Sequence, residues 1–460
     1  MHQNPIYTLI KIEDTYHILP VAQGIADMRR GIQINESGAS IWTLLETLHS
    51  RDELLSALKK DTSISSEEVD RFLDSLIHYG FIINSDISDA VTPHGNDTIS
   101  SATNCKNVSK CENALDNQST QLFSADELGL PLFKTIKIGT IGLRLFGDSK
   151  LFVSNLSSFE TDELSPVTAD VTVSIVSNPT ASITTTPEVV ASIATMPEVT
   201  TSITTMSEAT ASAPSKLSTA TGLTPAAQVH QLITCTDFSI FACPDTYIIK
   251  YPDTSTIERV IFSADGRKTN IFIKNTDNIT DSMRDEIFHS IRLPFLYLAE
   301  KHGLYAIHSA SVLYQQKAWL FSASSGTGKS TLARMWTDNN FASDINGDLN
   351  LLGISGGIPV VYGLPWCGTS NIYTAQTYPL GGIIFLKRAK INKTDLSDSL
   401  NGLLSMSKRI ISPLFSPADL NKLFDDLKPI ADNILFFNHY CTNSIDSLIA
   451  VKQAIDTGLK

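Results

Sequence analysis

Lys317-Ala318-Trp319-Leu320-Phe321-Ser322-Ala323-Ser324-Ser325-Gly326-Thr327-Gly328-Lys329-Ser330-Thr331-Leu332-Ala333-Arg334-Met335-Trp336 is the stretch on which the reading of this chain turns. Its first residues make a buried-strand pattern, its middle is a glycine loop, and Leu332, Ala333, Met335 and Trp336 continue as a helix. Strand, glycine loop and helix in that order are the context that a phosphate-binding loop requires. Gly326 and Gly328 let the backbone curl so that successive N–H groups converge on phosphate oxygens. The helix start adds its partial positive charge. Lys329 has the reach for the β- and γ-phosphates of a nucleoside triphosphate, and the Ser330 hydroxyl is placed to hold Mg²⁺. Ser325, Thr327 and Thr331 complete the binding segment, and ATP with Mg²⁺ is the cofactor pair it predicts. The first glycine of G-x-x-x-x-G-K-[ST] is Ala323 here, which is tolerable if that position keeps a negative φ.

Working outward, His308 lies in Ala306-Ile307-His308-Ser309-Ala310, on the strand before the one that feeds the loop. Asp344 and Asp348 lie in Ser343-Asp344-Ile345-Asn346-Gly347-Asp348, one helix after the loop and entering another strand. Strand ends and loop gather at one edge of such a sheet. An acidic residue there can hold Mg²⁺ or take the proton of an attacking hydroxyl. Taken alone, His308 reads as structural and Asp348 as either turn former or catalytic carboxylate. Gly363-Leu364-Pro365-Trp366-Cys367-Gly368-Thr369-Ser370 reads equally as a binding loop or an inter-strand turn. No base is placed beside Cys367 by sequence, so it is assigned no chemistry. His289 and His302 flank a helix and read as surface or packing residues.

The chain is an α/β protein in pattern. Tyr247–Tyr251, Ile257–Phe262 and Thr269–Lys274 are strand-like, the last two joined by a turn at Ala264-Asp265-Gly266-Arg267. A helix is expected over Ser282–His302, interrupted near Pro294. Strands recur at Tyr305–Tyr314, Ala318–Ala323, Asn350–Ile354, Ile383–Leu386 and Ile434–Phe437. The first 84 residues read as a smaller α/β unit. Ile6–Ile12 and Tyr16–Val21 pair as strands, then come three helices, two opened by the boxes Ser50-x-x-Glu53 and Ser65-x-x-Glu68. Gly80 sits where a helix C-cap belongs, before a closing strand at Phe81-Ile82-Ile83, in the manner of a winged helix. Residues 85–121 are Asn/Ser/Thr/Asp-rich and read as a flexible linker, with order returning at Leu122. Residues 165–227 read as a disordered low-complexity insertion, because a Thr/Ser/Pro-rich segment recurs at Ser182, Ser192 and Ser202. The expected organisation is a winged-helix-like domain at 1–84 and a kinase-type domain at 122–460.

With a formal net charge of −13, a broad nucleic-acid or anionic-membrane surface is not expected. No stretch approaches the roughly 20 apolar residues of a membrane span, and residues 1–35 lack a signal-peptide pattern. Six scattered cysteines match no zinc spacing and read as reduced thiols of a cytoplasmic protein.

Two resemblances sharpen this. His308, Ser325-Gly326-Thr327-Gly328-Lys329-Ser330 and the acidic strand Asp344–Asp348 resemble the HPr kinase/phosphorylase family, whose ATP site is related to that of phosphoenolpyruvate carboxykinases. The resemblance implies a P-loop kinase in which His308 belongs to the active site and Asp348 is the base and a metal ligand beside Ser330. The chain has Asn346-Gly347-Asp348 where adjacent aspartates are common, and lacks the second signature that supports dephosphorylation in the bacterial regulators. Arg30-Gly31-Ile32-Gln33-Ile34-Asn35, Ala39-Ser40-Ile41-Trp42 and Val69–Ile83 resemble the PqqD-like peptide-recognition domains of ribosomal peptide modification systems. That implies capture of a precursor peptide's leader by residues 1–84, with other maturation enzymes as further partners. The combined expectation is a leader-guided Ser/Thr peptide kinase. Its rivals are a small-molecule or carboxykinase-like phosphotransferase and a non-catalytic, nucleotide-switched peptide chaperone.

Overall fold

The computed structural model describes residues 1–4, 7–12, 14–20, 32–58, 66–78, 81–83, 121–175, 230–234, 237–274, 278–324, 326–442 and 444–458. Arg30, Gly31, Ser65, Gly80, Ser325, nearly all of the 85–121 linker and residues 176–227 of the expected insertion lie outside them.

The first unit runs β1 (His2–Gln3), β2 (Tyr7–Ile12), β3 (Thr15–Pro20), β4 (Ile32–Ile34), α1 (Glu36–Leu44), α2 (Arg51–Leu58), α3 (Ser66–His78) and β5 (Ile82–Ile83). The order of strands, three helices and a short closing strand is the one read from the sequence. β2, β3 and β4 form an antiparallel sheet and β1 pairs with β5. The capping box before α2 is present: Ser50 N–H donates to Glu53 Oε2 at 3.1 Å, and Glu53 N–H donates to Ser50 Oγ at 3.2 Å.

The hairpin β2–β3 serves two cores, because alternate residues of a strand face opposite ways. Ile18, with Leu9 and Tyr7, packs among Ile41, Trp42, Leu54, Leu73 and Phe81 of the unit's own helices. Ile10, Ile12 and Leu19 instead join Tyr305, Leu423 and Leu427 of the C-terminal part in one buried cluster. The first unit is therefore not a self-contained bead.

Next come β6 (Leu132–Ile138), β7 (Ile141–Phe146), β8 (Val167–Ile175), β9 (His230–Thr234), β10 (Ser239–Ala242), β11 (Thr246–Lys250), β12 (Ile257–Ser263) and β13 (Lys268–Ile273). They form one sheet ordered β6-β7-β8-β13-β12-β11-β10-β9. This corrects the expected start of the insertion at residue 165: β8 lies inside the sheet, paired in parallel with both β7 and β13. Ala169, Val171 and Val173 point into the core, and the intervening Thr168 and Thr172 are β-branched residues that suit a strand. The threonine bias hid a period-2 pattern.

Helix α4 (Asp281–Lys301) runs unbroken through Pro294, against the expected interruption. The proline removes the donor for the Ser290 carbonyl, a cost of about 3 kcal/mol. Burial of Ile287, Ile291, Phe295 and Leu298 in the core under the eight-stranded sheet outweighs it, at about 1.5–3 kcal/mol per side chain.

The remaining chain builds β14 (Tyr305–His308), β15 (Ala310–Tyr314), β16 (Lys317–Ser322), α5 (Lys329–Asp338), β17 (Ser343–Asn346), β18 (Leu349–Ser355), β19 (Ile358–Tyr362), β20 (Thr377–Arg388), β21 (Lys393–Ser397), α6 (Ser399–Ser407), α7 (Pro417–Ala431), β22 (Leu435–Cys441) and α8 (Ile445–Gly458). The second sheet is ordered β14-β18-β19-β20-β16-β15-β17, with β22 beside β20 and β21 beside β22. Strands β16, β20 and β22 are parallel. Helices α5 and α8 cover one face through Leu332, Trp336, Leu448 and Val451, and α6 and α7 cover the other through Leu403, Met406 and Leu423. Among the described residues, no helix is long and apolar enough to cross a membrane.

The segment expected to be one strand at Tyr305–Tyr314 is broken, and a second break lies between the acidic stretch at Asp344 and the strand expected at Asn350–Ile354. The first falls at Ser309, where the chain leaves β18 and takes up β16 and β17. The second falls at Gly347–Asp348, between β17 and β18. Both breaks fall at the same place in space, and they create the site.

Beneath it, Trp366 lies between Phe288 and Phe295, with ring centroids 5.6 and 5.3 Å away, and donates through Nε1 to the Phe288 carbonyl at 3.1 Å. Trp366→Ala is expected to cost about 3–5 kcal/mol of folding free energy, read from the denaturant midpoint. A loss under 1 kcal/mol would show that this packing does not support the site.

Candidate active site

The glycine loop begins where β16 ends. Ala323 is buried in the core under α5 and is not among the positive-φ residues, so the substitution of the usual glycine is tolerated. Gly326 and Gly328 have φ of 72° and 116°, the left-handed region where a side chain would strain the backbone. Gly328 is the N-cap of α5, so Lys329 and Ser330 open the helix. The buried Lys329 Nζ donates to the Ala323 carbonyl at 3.0 Å, which folds the side chain back across the loop. Ser330 is exposed on the first turn.

His308 ends β14 and its backbone is fixed on two sides. Its N–H donates to the Arg409 carbonyl, and its carbonyl accepts from Ser322 Oγ at 2.8 Å, the last residue of the strand feeding the loop. Across from it, the Ser309 N–H donates to the Asp348 carbonyl at 2.9 Å. The two side chains then meet, with His308 Nε2 3.2 Å from Asp348 Oδ1. The hydrogen bond from His308, with the charges of His308, Lys329 and Arg292, holds the Asp348 carboxyl below its ordinary range against the opposing effect of burial. These contacts favour the ionised form of Asp348.

Asn346 aims that carboxylate. Its Oδ1 accepts from the Asp348 and Leu349 N–H groups at 3.0 Å each, and its Nδ2 donates to the Leu364 carbonyl at 3.0 Å. A carboxylate here would face carbonyl oxygens with nothing to donate. This accounts for asparagine where the resemblance led to an aspartate. Asp344 is exposed and its carboxyl is pushed up by burial and by Asp338, away from Asp348. The Gly363–Ser370 stretch is a packing loop rather than a cavity wall. Leu364, Trp366 and Cys367 are buried, and Gly368 lies against Asp348, where an added Cβ would sit 3.1 Å from the carboxyl carbon.

Two cavities involve these elements. One of about 470 Å³ collects Gly326, Gly328, Thr331, Arg388, Cys441 and Thr442, and so lies over the carboxyl ends of β16, β20 and β22. The other, about 750 Å³, is lined by His308 and Asp348 and walled by α4 and the β11–β12 region, including Tyr251, Glu286, His289 and Arg292. Thr327, Gly328 and Thr331 thus lie with the first cavity, and His308 and Asp348 with the second. Ser325 lies outside the described residues.

Sequence reasoning missed three arginines. Arg388 ends β20 and donates to the Gly326 carbonyl, while Arg409 Nη2 lies 3.3 Å from Ser324 Oγ. Arg292 comes from α4. Their positions in the chain carry no motif; only Arg388, ending a strand parallel to β16, could have been found from topology. His289, read as a surface or packing residue, lines the larger cavity.

Comparison with known proteins adds two matches. The family model described as "Coenzyme PQQ synthesis protein D (PqqD)" matches residues 25–82. A solved structure, the Hpr(Ser) kinase/phosphatase from Coxiella burnetii, aligns over 33% of this chain and 89% of that one, at 8% identity and a TM-score of 0.23. A likeness this low does not fix the fold of the C-terminal part. No curated protein sequence matches the chain.

Asn346→Asp tests the buttress. The introduced carboxyl faces carbonyls, so its folded pKa lies above the unfolded value of about 3.9. Its penalty, about 1–3 kcal/mol at pH 7, should shrink as pH falls through the folded pKa, because the protonated form can again donate. Denaturation of this variant and the parent chain at pH 7 and pH 4.5 measures it. A penalty that is absent, or unchanged between the two, would contradict the assignment.

Proposed function

We propose that this chain is an ATP-dependent kinase that phosphorylates a Ser or Thr hydroxyl of a ribosomally made precursor peptide, with the leader held by the first unit. The observation that carries the kinase reading is the His308–Asp348 pair lining one cavity while the glycine loop lines a second, separate one. A phosphoryl donor and an acceptor need such adjoining compartments. The PqqD match over residues 25–82 supports the peptide. So does the free edge of β4, which pairs with β3 alone among the described strands and can take an extended peptide as a further strand.

In this reading the acceptor hydroxyl enters the larger cavity and hydrogen-bonds to Asp348. The bond between the γ-phosphorus and the bridging oxygen breaks as the bond from the acceptor oxygen forms, and the hydroxyl proton passes to the Asp348 carboxylate. His308 orients that carboxylate. Lys329, the loop N–H groups and Arg388 face the charge on the transferred group and the departing diphosphate. The Ser330 hydroxyl and Asp348 would hold Mg²⁺, an ion that needs few protein donors and that would supply charge neutralisation at the phosphates. Leader capture raises the local concentration of the acceptor without tight binding at the core.

A candidate precursor encoded beside this chain, and the same peptide without its leader, should be incubated with the full chain and MgATP and followed by mass spectrometry. The expected result is one phosphate on a Ser or Thr of the intact precursor, with the leaderless peptide modified at least ~10-fold more slowly. Equal rates would remove the leader from the account, and phosphorylation of a small hydroxy compound in preference to either peptide would replace it.

A further inference from the structure

Arg292 is the unexplained charge in the larger cavity. Arg292 is half-buried, and burial lowers its pKa while Asp348 and Tyr251 raise it. Among the described residues it makes no hydrogen bond or ion pair, so the several donors of its guanidinium remain available in the cavity it lines. Its neighbours in the cavity do not offer it a partner. The Glu286 carboxylate is taken up by the Ser255 hydroxyl at 2.8 Å and by the Thr256 N–H at 2.7 Å. Asp237 and Asp285 are exposed at the rim. His289 is kept uncharged by burial and by Arg292 itself, and His308 is paired to Asp348.

A planar, always-charged fork suits an oxyanion held through two hydrogen bonds. The nucleotide's phosphates have their own cations in Lys329, Arg388 and Arg409, set around the loop. Arg292 opens instead into the compartment that takes the acceptor. We infer that Arg292 binds a carboxylate carried by the acceptor peptide close to the phosphorylated hydroxyl, so that the enzyme selects a Ser or Thr flanked by an acidic residue. This rests on the kinase reading for the identity of the cavity's occupant. Arg292 and Asp348 line the same cavity and feel each other's charge, so in this proposal the acidic residue is a close neighbour of the hydroxyl in the peptide. The bound carboxylate would offset the guanidinium charge beside Asp348 and bring the acceptor oxygen into register with it.

The test is calorimetric titration of the full chain, with a non-hydrolysable ATP analogue and Mg²⁺ present, using two synthetic hexapeptides. Each has a single Ser, followed by Asp in one and Asn in the other. The wild-type chain should bind the Asp peptide about 10- to 100-fold more tightly. In Arg292→Gln, checked for folding by its melting temperature, the ratio should collapse towards one, through weaker binding of the Asp peptide. A ratio near one in the wild-type chain overturns the inference whether or not the variant folds. A ratio preserved in the variant overturns it too, as does equal weakening of both peptides, which would mark Arg292 as a wall of the cavity. Phosphate transfer is not read here, so a chain that keeps the ratio yet transfers nothing would refute the kinase reading and leave the carboxylate site standing.

Discussion

The contact between His308 and Asp348, 3.2 Å long, is where the constraints of this structure converge. Neither residue is held by its own element alone. His308 is tied to the end of β16 through Ser322 and to the segment after α6 through Arg409, while Asp348 is tied to Ser309 and to the Asn346 side chain. The pair therefore depends on two strand breaks, at Ser309 and at Gly347–Asp348, falling opposite one another. A one-residue slip in either would turn a side chain to the other face of its strand.

This junction divides two environments. On one side three parallel strands end in backbone N–H groups, glycines and arginines, a setting for phosphate. On the other, α4 and the eight-stranded sheet enclose a cavity that holds Asp348 paired to His308, Glu286 paired to Ser255 and Thr256, and an arginine, Arg292, that has no hydrogen bond among the described residues. Helix α4 matters to both. Its buried face joins the two sheets, its Phe288 and Phe295 grip the tryptophan beneath Asp348, and its Arg292 enters the cavity. The first unit is joined to this body through the far face of its hairpin, where Ile10, Ile12 and Leu19 meet α7. His17 on that hairpin is buried and feels the charge of Lys408, one residue from the arginine that reaches Ser324 of the loop.

The strand, glycine loop and helix at Lys317–Asp338 were legible because their signal is local: an apolar strand, two glycines and a helix follow one another in the chain. His308 and Asp348 were legible only through a resemblance, since their meeting depends on strand pairing that no local pattern records. The eight-stranded sheet was largely hidden, because β8 and β9 stand on either side of residues 176–229 and β8 is written in threonines that pass for low complexity. Strand-compatible residues on both sides of Ser309 concealed the break there, and Pro294 signalled a broken helix where tertiary burial overrides the lost hydrogen bond. The hairpin's second face was also unreadable, as alternating apolar residues do not say which core each face meets.

The central claim is that Asp348 takes the acceptor's proton while the glycine loop, with Arg388, carries most of the hold on the nucleotide. Asp348→Asn keeps the side chain's shape and removes its charge and basicity, so the most direct measurement sets ATP affinity by calorimetry beside the rate of phosphate transfer to the precursor. The account predicts affinity within about 3-fold of wild type and transfer lower by about 10²–10⁴-fold. Transfer that persists at the wild-type rate would contradict it, as would a loss of transfer matched by an equal loss of ATP binding.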